Sequence, residues 1–427
     1  MPLNMGPLND TMKRAIALVD CNNFYVSCER LFQPGLEDKP VVVLSNNDGC
    51  VISRSQEAKD LGIAMAAPWF RLKHLAKQHG IIALSSNYAL YADISNRVMQ
   101  LLAKCSPNRE VYSIDECFLE LSGMNRLSQR GQRMRELVRQ CIGIPVCVGI
   151  AQSKTLAKLA NHVAKKLPGG VCNFNELSNR ELNALLGKIQ ACEVWGVGRS
   201  TAASLREMHI NTVLELKNTP AKHLRSKFGA TLERIVAELN GTACLELDEI
   251  ARPRQQIICS RSFGLPVTQL PHLEQAVISY ARRAAEKLRH QHSVAACVQV
   301  SIRTSPYQAP QYQNALNVPL AFPTDDTRAL CHAALNGLRR IYRSGYNYQK
   351  AGVLLSGITA SGDRSPTLFD DAQSDTLMAT LDRINRRMGS GTIKFLGEGI
   401  RKDWAMKRGN VSPRYTTELN GLAIAKA

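Results

Sequence analysis

The sequence predicts a multidomain α+β protein, because the chain is long and because strand-like and helical stretches are unevenly spread along it. The chain has 427 residues, and single hydrophobic cores stop growing at roughly 250–300 residues. Strand-like and helical stretches alternate over 14–175, helical patterns dominate 176–246, and both kinds return over 257–355. Such a distribution is typical of separately layered domains rather than of one continuous sheet.

Short apolar runs that end at polar residues predict the strands of the first domain. These runs are IALVD (16–20), KPVVVLSNN (39–47), VYSIDECFLEL (111–121) and IPVCVGIAQ (144–152). Apolar residues at helical spacing, punctuated by Gly62, Pro68 and the PGG at 168–170, predict helices between the strands. The predicted helices cover 54–61, 71–79, 85–105, 134–143 and 154–166.

The remainder of the chain divides by composition. Residues 176–246 are predicted to form helices joined by short turns, and the polar segment 247–256, with Pro253, is typical of a linker. The strands IICSRSFG and VQVSIRTS and the long helix HLEQAVISYARRAAEKLRHQ belong to 257–355. Weak periodicity from 356 onward predicts a C-terminal tail, and residues 1–13 predict a disordered leader because they lack the apolar core of a secretory signal.

The charge balance predicts a polyanionic partner. There are 54 Lys and Arg against 36 Asp and Glu, a formal net charge of +18, which points to nucleic acid or to an anionic membrane surface. No apolar run approaches the roughly 20 residues of a spanning helix, so nucleic acid is favoured. Residues 251–355 carry 13 Lys and Arg and 4 acids, a net charge of +9. This segment is therefore predicted to bind nucleic acid. The alternative is a solvated basic face.

Thirteen cysteines are scattered through the chain without a C-x-x-C pair. Clustered ligands would be needed for a zinc site, so none is predicted. Reduced thiols used as small apolar residues are typical of cytosolic proteins, and we expect a cytoplasmic location.

Three acids are candidates for metal-dependent chemistry. Asp20 ends one predicted strand, and Asp115 and Glu116 lie inside another. Carboxylates that converge at strand ends can hold two Mg²⁺ ions, which clamp the attacking and leaving oxygens of a phosphoryl displacement. Neighbouring residues in a straight strand point to opposite faces, so a shared site requires a hairpin that turns at 114–116. The alternative is an ordinary solvated turn.

Several lysines are candidate triphosphate ligands. Lys59 lies in SQEAKDLG (55–62), and Lys154, Lys158, Lys165 and Lys166 belong to the helix after IAQ. An ammonium group can bind phosphate as a point charge. For any one of these lysines, the alternative is a solvated helix surface.

Aromatic and glycine motifs add two further hypotheses. Phe24 and Tyr25 follow Asp20 closely, and a bulky ring beside a bound nucleotide would clash with a ribose 2′-hydroxyl; the alternative is core packing. Gly196 and Gly198 bracket a tight turn before a helix, where exposed amides can bind a DNA backbone phosphate; the alternative is an ordinary loop.

Taken together, these stretches resemble the Y-family translesion DNA polymerases, and among them the UmuC-like catalytic subunits of bacterial DNA polymerase V. The resemblance covers about residues 14–416 and rests on an ordered set of motifs. These are DCNNFYVSCE, KPVVVLSNNDGCVISR, SSNYALYADISNRVM, YSIDEC, VGIAQSKTLAKLANHVAKK, VWGVGR, IICSRSFG, YARRAAEKLR, YQKAGV and SPRYTT.

The resemblance implies a right-hand polymerase that performs error-prone, template-directed synthesis past damaged bases in DNA repair and the SOS response, a source of mutagenesis. The implied domains are a palm at 14–175 with fingers inserted at about 31–80, a helical thumb with a helix-hairpin-helix at 176–246, a little finger at 257–355 and a partner-binding tail at 356–427. The small residues of GIAMAAP (62–68) would leave room above the nascent base pair.

The resemblance also implies roles for individual residues. Asp20, Asp115, Glu116 and the Cys21 carbonyl would hold two Mg²⁺ ions, and Tyr25, with Phe24 beside it, would be the steric gate against ribonucleotides. The implied triphosphate ligands are Lys59, where many relatives have arginine, and Lys165. The implied DNA-binding residues are Gly196, Gly198, Arg261 and Arg303.

The resemblance also implies partners: primer-template DNA, a deoxynucleoside triphosphate, a cleaved UmuD-like accessory dimer and a RecA-like recombinase filament. It further implies that the protein associates with the nucleoid. Relatives often carry Gln-x-x-Leu-Phe for the sliding clamp; here Ser365 stands where Gln would be, and Leu368 and Phe369 remain. Two alternatives stay open: a non-catalytic DNA-binding subunit that keeps the fold, and a palm-type nucleotide cyclase.

Overall fold

The computed structural model describes residues 14–248, 253–363 and 372–418. The predicted leader, part of the predicted linker, and the candidate clamp residues Leu368 and Phe369 lie outside the described residues. By their internal contacts the described residues form two compact units. The first contains 14–43, 51–248 and 411–418; the second contains 44–50, 253–363 and 372–410.

The first unit is built on a five-stranded and a three-stranded sheet. Its strands are, in chain order, β1 (Ile16–Cys21), β2 (Val41–Leu44), β3 (Val51–Arg54), β4 (Ile82–Ser85), β5 (Arg109–Val111), β6 (Glu116–Glu120), β7 (Val146–Ala151) and β8 (Val171–Asn173). The larger sheet has the order β5-β6-β1-β7-β8, and the smaller has the order β3-β2-β4. β1 is antiparallel to both β6 and β7, so it is the central strand.

Helices lie between and after these strands: α1 (Phe24–Phe32), α2 (Gln56–Asp60), α3 (Trp69–His79), α4 (Tyr88–Leu102), α5 (Leu127–Ile142) and α6 (Lys154–Ala164). Side-chain caps explain two of the starting points. Asn87 accepts a hydrogen bond from the Leu90 amide at the start of α4, and Ser153 accepts one from the Leu156 amide at the start of α6. Both caps satisfy amides that the helix itself leaves without a partner.

Alternation along β1 sends its side chains into two different cores. Ala17, Val19 and Cys21 pack into the core that contains residues of α4 and α5. Ile16 and Leu18 pack on the opposite face, into the core that contains residues of α6. Asp20 shares the parity of Ile16 and Leu18, so the strand directs its carboxylate toward the α6 side.

Helix α6 lies directly against the backbone of β7 because Gly149 has no side chain. A Cβ at position 149 would lie 2.1 Å from the Asn161 amide nitrogen and 2.4 Å from the Ala157 carbonyl oxygen. The Asn161 side-chain amide donates to the carbonyls of Leu18 and Cys147, at 3.3 and 2.9 Å. These contacts fix where the lysines of α6 stand above the sheet.

Replacing Gly149 with alanine is expected to destabilise the first unit by at least about 3 kcal/mol, because overpacking against rigid backbone has no flexible neighbour to yield. Urea unfolding of the full chain would measure this loss. Gly35→Ala is the matched control, since no atom lies within 4 Å of a Cβ at that position, and it should change stability by less than about 0.5 kcal/mol. Equal stability of the two variants would contradict the close approach.

A helical segment continues the first unit: α7 (Asn179–Leu186), α8 (Arg199–Glu207), α9 (Val213–Asn218), α10 (Ala221–Phe228) and α11 (Ala230–Leu239). Ser178 and Thr212 start α7 and α9 as capping boxes. The apolar faces of these helices share one core with α6 and with Ile16 and Leu18 of β1.

The second unit has an antiparallel sheet of four long strands: β9 (Ile257–Val267), β10 (Ser293–Thr304), β11 (Gln313–Thr324) and β12 (Tyr348–Ala360), in the order β11-β10-β12-β9. Its helices are α12 (Leu270–His290), α13 (Thr327–Ile341) and α14 (Ala372–Met388). Residues of α12 and α13 form one core with the sheet. No helix in the described parts of either unit is long and apolar enough to cross a bilayer.

The C-terminal part of the chain is more ordered than its composition predicts. Strand β12 continues to Ala360, and α14 follows. Two ion pairs attach this part to α12: Arg282 Nε to Glu398 Oε1 at 2.8 Å, and Arg289 Nε to Asp382 Oδ2 at 2.6 Å. Arg282 and Arg289 count toward the basic nucleic-acid-binding surface, but they attach the C-terminal part to α12 instead. A count of charges cannot separate paired arginines from arginines that are available to bind nucleic acid.

Candidate active site

Asp20 and Glu116 stand opposite each other on the adjacent strands β1 and β6. They are register partners in the antiparallel pair of β1 and β6, and both have the parity of Phe118, which packs on the α6 face. The pair lies at the ends of its strands: Asp20 is one residue before Cys21, the last residue of β1, and Glu116 is the first residue of β6. The two carboxylates therefore belong to the same edge of the same face.

Asp115 reaches this edge because the chain turns just before it. The amides of Tyr112 and Ser113 donate to the Glu116 carbonyl at 3.1 and 3.2 Å, and the Cys21 amide donates to the Asp115 carbonyl at 2.9 Å. The Ser113 hydroxyl donates to Asp115 Oδ1 at 2.6 Å. The required hairpin is confirmed: β5 and β6 pair as antiparallel strands, and the turn occupies 112–115, starting two residues earlier than predicted.

Burial and neighbouring carboxylates disfavour the ionised form of Asp20. The pKa of Asp20 is raised to about 6, chiefly by burial and also by the nearby Glu116 and Asp115 carboxylates, while the Lys165 ammonium acts in the opposite direction. The Asp20 carboxylate is 12% exposed and accepts a hydrogen bond from Lys165 Nζ at 2.8 Å. Like charges that share a buried site need a cation between or beside them.

A row of lysines on α6 supplies such cations. Lys158 Nζ lies 2.8 Å from Glu116 Oε1, and Lys154 pairs with Glu110. Lys158 also lies over the rings of Tyr112, Phe118 and Trp195, at 4.3, 5.8 and 5.3 Å from their centroids. For Lys154 and Lys158 the solvated surface is not what forms, because α6 turns them toward the acids of the sheet, whereas Lys165 and Lys166 remain exposed.

The donor set suits a hard cation. Three carboxylates and a main-chain carbonyl are the oxygen ligands that Mg²⁺ takes in proteins. As the side chains lie, no three His, Cys, Asp or Glu groups within the described residues are close enough to hold a metal ion. Asp20 and Glu116 face lysine ammonium groups, so binding would require them to exchange lysine for metal. The residues fit the ion by chemistry and by backbone position.

The two aromatic residues after Asp20 differ in burial and in the residues they contact. Phe24 is buried in the core of the sheet and α4, which is the alternative considered for it. Tyr25 is half-buried and stacks on Tyr91, with centroids 4.5 Å apart and planes at 17°. Burial raises the pKa of Tyr25, and the neighbouring Tyr88 and Asp115 raise it further.

Lys59 belongs to a cationic group beside Asp20. Burial lowers the pKa of Lys59, and the charges of Arg54 and Lys165 lower it further, while Asp20 raises it. Arg54 ends β3, and its guanidinium donates to the Ile63 carbonyl at 2.5 Å. Sequence reasoning missed Arg54; its place at a strand end, five residues before Lys59, was the signal available.

The glycine turn precedes α8 without a full helix before it. A short 3₁₀ turn (Ala191–Glu193) leads into it, and Gly198 is the N-cap residue of α8. Gly196 has φ 91°, and a Cβ there would lie 2.8 Å from Ile235 Cδ1. Gly198 is open, with no atom within 4 Å of a Cβ position, so an anion has room at the start of the helix.

Arg261 and Arg303 do not share a face of their sheet. Arg303 pairs in register with Lys350, which in turn pairs with Ser262, and these residues lie on the side away from the core helices. Arg261 pairs with the buried Ala351, and its charge reaches Tyr280 of α12. The open side therefore presents Arg303 with Lys350, a residue that sequence reasoning did not single out.

Comparisons with known proteins place the chain in a family. The impB/mucB/samB family matches residues 19–162, and the C-terminal domain of that family matches 254–368. A domain of unknown function, DUF4113, matches 375–425. These three matches follow one another along the chain.

Similar proteins agree with this assignment. Protein UmuC of Salmonella typhimurium is 46% identical over 96% of this chain and 100% of its own length, and protein ImpB of Salmonella typhimurium is 44% identical over 96% and 99%. A DNA polymerase IV of Dehalococcoides mccartyi is 28% identical over 89% and 96%. A solved Y-family DNA polymerase chimera of Dbh and Dpo4 has the same fold, with a TM-score of 0.63 at 20% identity, over 81% of this chain and 99% of its own. The chain belongs to the impB/mucB/samB family, the UmuC-like group of Y-family DNA polymerases.

Proposed function

We propose that this chain synthesises DNA past damaged template bases, by nucleotidyl transfer that depends on two Mg²⁺ ions held by Asp20, Asp115 and Glu116. The observation that carries the proposal is the pairing of Asp20 with Glu116 across β1 and β6, with Asp115 tied by its carbonyl to the Cys21 amide. Relatives named UmuC and DNA polymerase IV support the reaction class.

The charges around the acids suit a nucleoside triphosphate. Arg54, Lys59 and Lys165 would receive the phosphates, and Tyr25 would lie against the sugar. When bound, the metal ions would stabilise charge on the attacking and leaving oxygens. The remaining work of this site is positioning, which can account for a large part of a phosphoryl-transfer rate.

In this proposal Lys165 has two roles, as the partner of Asp20 and as a phosphate ligand. It pairs with Asp20, and its side chain is 45% exposed, so it can turn toward a phosphate without a large desolvation cost. Lys158 is 15% exposed and lies over the rings of Tyr112, Phe118 and Trp195, so these rings would still hold it when Glu116 binds a metal ion. We therefore assign phosphate binding to Lys165 and a structural role to Lys158.

DNA would be held through its phosphates. Gly198 at the start of α8 and the open side of the second unit, with Arg303 and Lys350, are the proposed contacts. Burial lowers the pKa of Lys350, and the neighbouring Arg303 lowers it further. A phosphate placed between the two cations would relieve their repulsion.

Replacing Arg303 with alanine is expected to weaken primer-template binding to a similar extent for all sequences and to reduce the slope of log affinity against log salt by about 0.9, because one phosphate contact is lost. Fluorescence anisotropy at several salt concentrations would measure the slope. Arg328→Ala is the matched control, since Arg328 pairs with Asp326 and contributes little free charge. Equal slopes for the two variants would remove Arg303 from the DNA contacts.

The finer roles are part of the proposal too. A cleaved UmuD-like dimer and a RecA-like filament would act with the chain at the nucleoid during the SOS response, and the sliding clamp would be contacted through Leu368 and Phe369. The basic composition of the chain, +18 in net charge, supports association with nucleic acid.

Primer extension opposite an abasic site tests the function. Purified chain with Mg²⁺, the accessory dimer and the recombinase filament should extend a primer past the lesion. Binding of primer-template without any extension, under conditions in which a related polymerase extends, would favour the non-catalytic subunit instead.

A further inference from the structure

We propose that the C-terminal segment Val411–Tyr415 positions the steric gate Tyr25, through Glu29 and Tyr91, and so sets how strongly the enzyme rejects ribonucleotides. This inference rests on the proposed function, in which Tyr25 is the gate. It assigns a role to part of the region matched by the domain of unknown function.

The segment docks on the first unit by several independent contacts. Val411 forms a parallel bridge with Ser85. The side-chain amide of Asn87 donates to the carbonyl and hydroxyl of Ser412 at 3.2 and 3.0 Å and to the Pro413 carbonyl at 3.1 Å. Ser412 and Asn87 are 6% and 2% exposed, so these bonds are made away from water, where each is costly to lose.

The other end of the segment holds α1. Tyr415 stacks on Phe32, with ring centroids 4.6 Å apart and planes at 5°. Its hydroxyl accepts a hydrogen bond from Gln33 Nε2 at 3.0 Å. Helix α1 begins one residue before Tyr25 and ends at Phe32. The segment therefore contacts the helix that carries the gate.

Glu29 links the segment to the aromatic rings. This residue of α1 is fully buried. Its Oε1 accepts hydrogen bonds from the Tyr91 hydroxyl at 2.6 Å and from the Ser412 hydroxyl at 3.0 Å. Its other oxygen has no hydrogen-bond partner within the described residues. A buried carboxyl with so few donors depends on each of them.

Tyr91 carries the link to the gate. Its ring is fully buried and stacks on the Tyr25 ring at 4.5 Å, while Tyr88 lies edge-on to both rings at 6.4 Å. A phenylalanine at position 91 would stack equally well, so packing does not require the hydroxyl. The hydroxyl fixes the height and tilt of the ring by its bond to Glu29, and the ring in turn supports Tyr25 from behind.

Two full-length variants test the inference: Ser412→Ala and Tyr91→Phe. Each variant removes one hydrogen-bond donor to Glu29 and keeps tyrosine at position 25. The measurement is kcat/KM for a deoxynucleotide and for the matching ribonucleotide in primer extension. We expect the ratio of the two to fall by about 3- to 10-fold in both variants, mainly through the ribonucleotide. Ser412→Thr, which keeps the hydroxyl, should restore the ratio.

Ser361→Ala is the control for loss of a serine hydroxyl, because Ser361 bonds to the His292 carbonyl in the second unit, and its ratio should stay unchanged. An equal fall for both nucleotides in Ser412→Ala would mean a merely structural role and would overturn the inference. Tyr25→Ala separates the two proposals. If it relaxes sugar selectivity and Ser412→Ala does not, the inference fails and the gate stands; if it has no effect, the gate assignment fails and the inference falls with it.

Discussion

Replacing Asp20 with alanine is expected to slow primer extension by about 10³-fold while the chain stays folded. Loss of a metal ligand removes several kcal/mol of transition-state stabilisation, and about 4 kcal/mol corresponds to that factor. Folding should be preserved because burial already disfavours the Asp20 carboxylate and because Lys165 is 45% exposed and can be solvated. Single-turnover extension and urea unfolding would measure the two quantities.

Glu120→Gln is the matched control for Asp20→Ala. Glu120 lies on β6, at the opposite end from Glu116, opposite Ile16 in register. It accepts a hydrogen bond from the Ser122 amide at 3.2 Å, and a glutamine oxygen can accept the same bond. Its extension rate should match that of the unmutated chain. Undiminished extension by the Asp20 variant would remove Asp20 from the metal site.

Replacing Tyr25 with alanine is expected to raise ribonucleotide incorporation relative to deoxynucleotide incorporation by about 10- to 200-fold. This is the range in which a pocket discriminates one small group by its shape, and the small group here is the 2′-hydroxyl. The half-buried ring rests on Tyr91, so it cannot retreat to admit the hydroxyl. Steady-state kinetics with each nucleotide on the same primer would measure the change.

Tyr307→Ala is a suitable control for Tyr25→Ala. The Tyr307 side chain is 93% exposed, and its removal should leave sugar selectivity as it was. Selectivity that is unchanged in the Tyr25 variant would reject this residue as the gate. A matching loss in the Tyr307 variant would point to a general effect on the reaction.

The pairing of the acids could be predicted because it depends on local rules. An apolar run that ends at Asp20 and a strand interrupted near Asp115 and Glu116 are visible in the sequence, and alternation along a strand shows that a turn is needed. The exact turn differs because Ser113 caps it with its side chain, accepting from the Glu116 amide at 3.0 Å. Such local side-chain bonds move a turn by one or two residues without changing its topology.

The lysine partners could not be predicted, because they depend on how α6 sits on the sheet. That placement is set by the missing side chain of Gly149 and by the amide of Asn161, features that periodicity does not reveal. The charge count was incomplete for a related reason: Arg282 and Arg289 are neutralised by acids more than ninety residues further along the chain. Long-range pairs of this kind leave no local pattern.

The contact between Asn87 and Ser412 also has a consequence for the order of synthesis. The two residues are 325 positions apart, and at roughly 5–20 residues per second a ribosome needs about 15–65 s to cover that distance. For nearly all of this interval Glu29 and Tyr91 are already made, while the serine that completes their bonding is not. On the proposed network, sugar selectivity therefore reaches its full value only after Ser412 is made, later than the synthesis of the strands that carry Asp20 and Glu116.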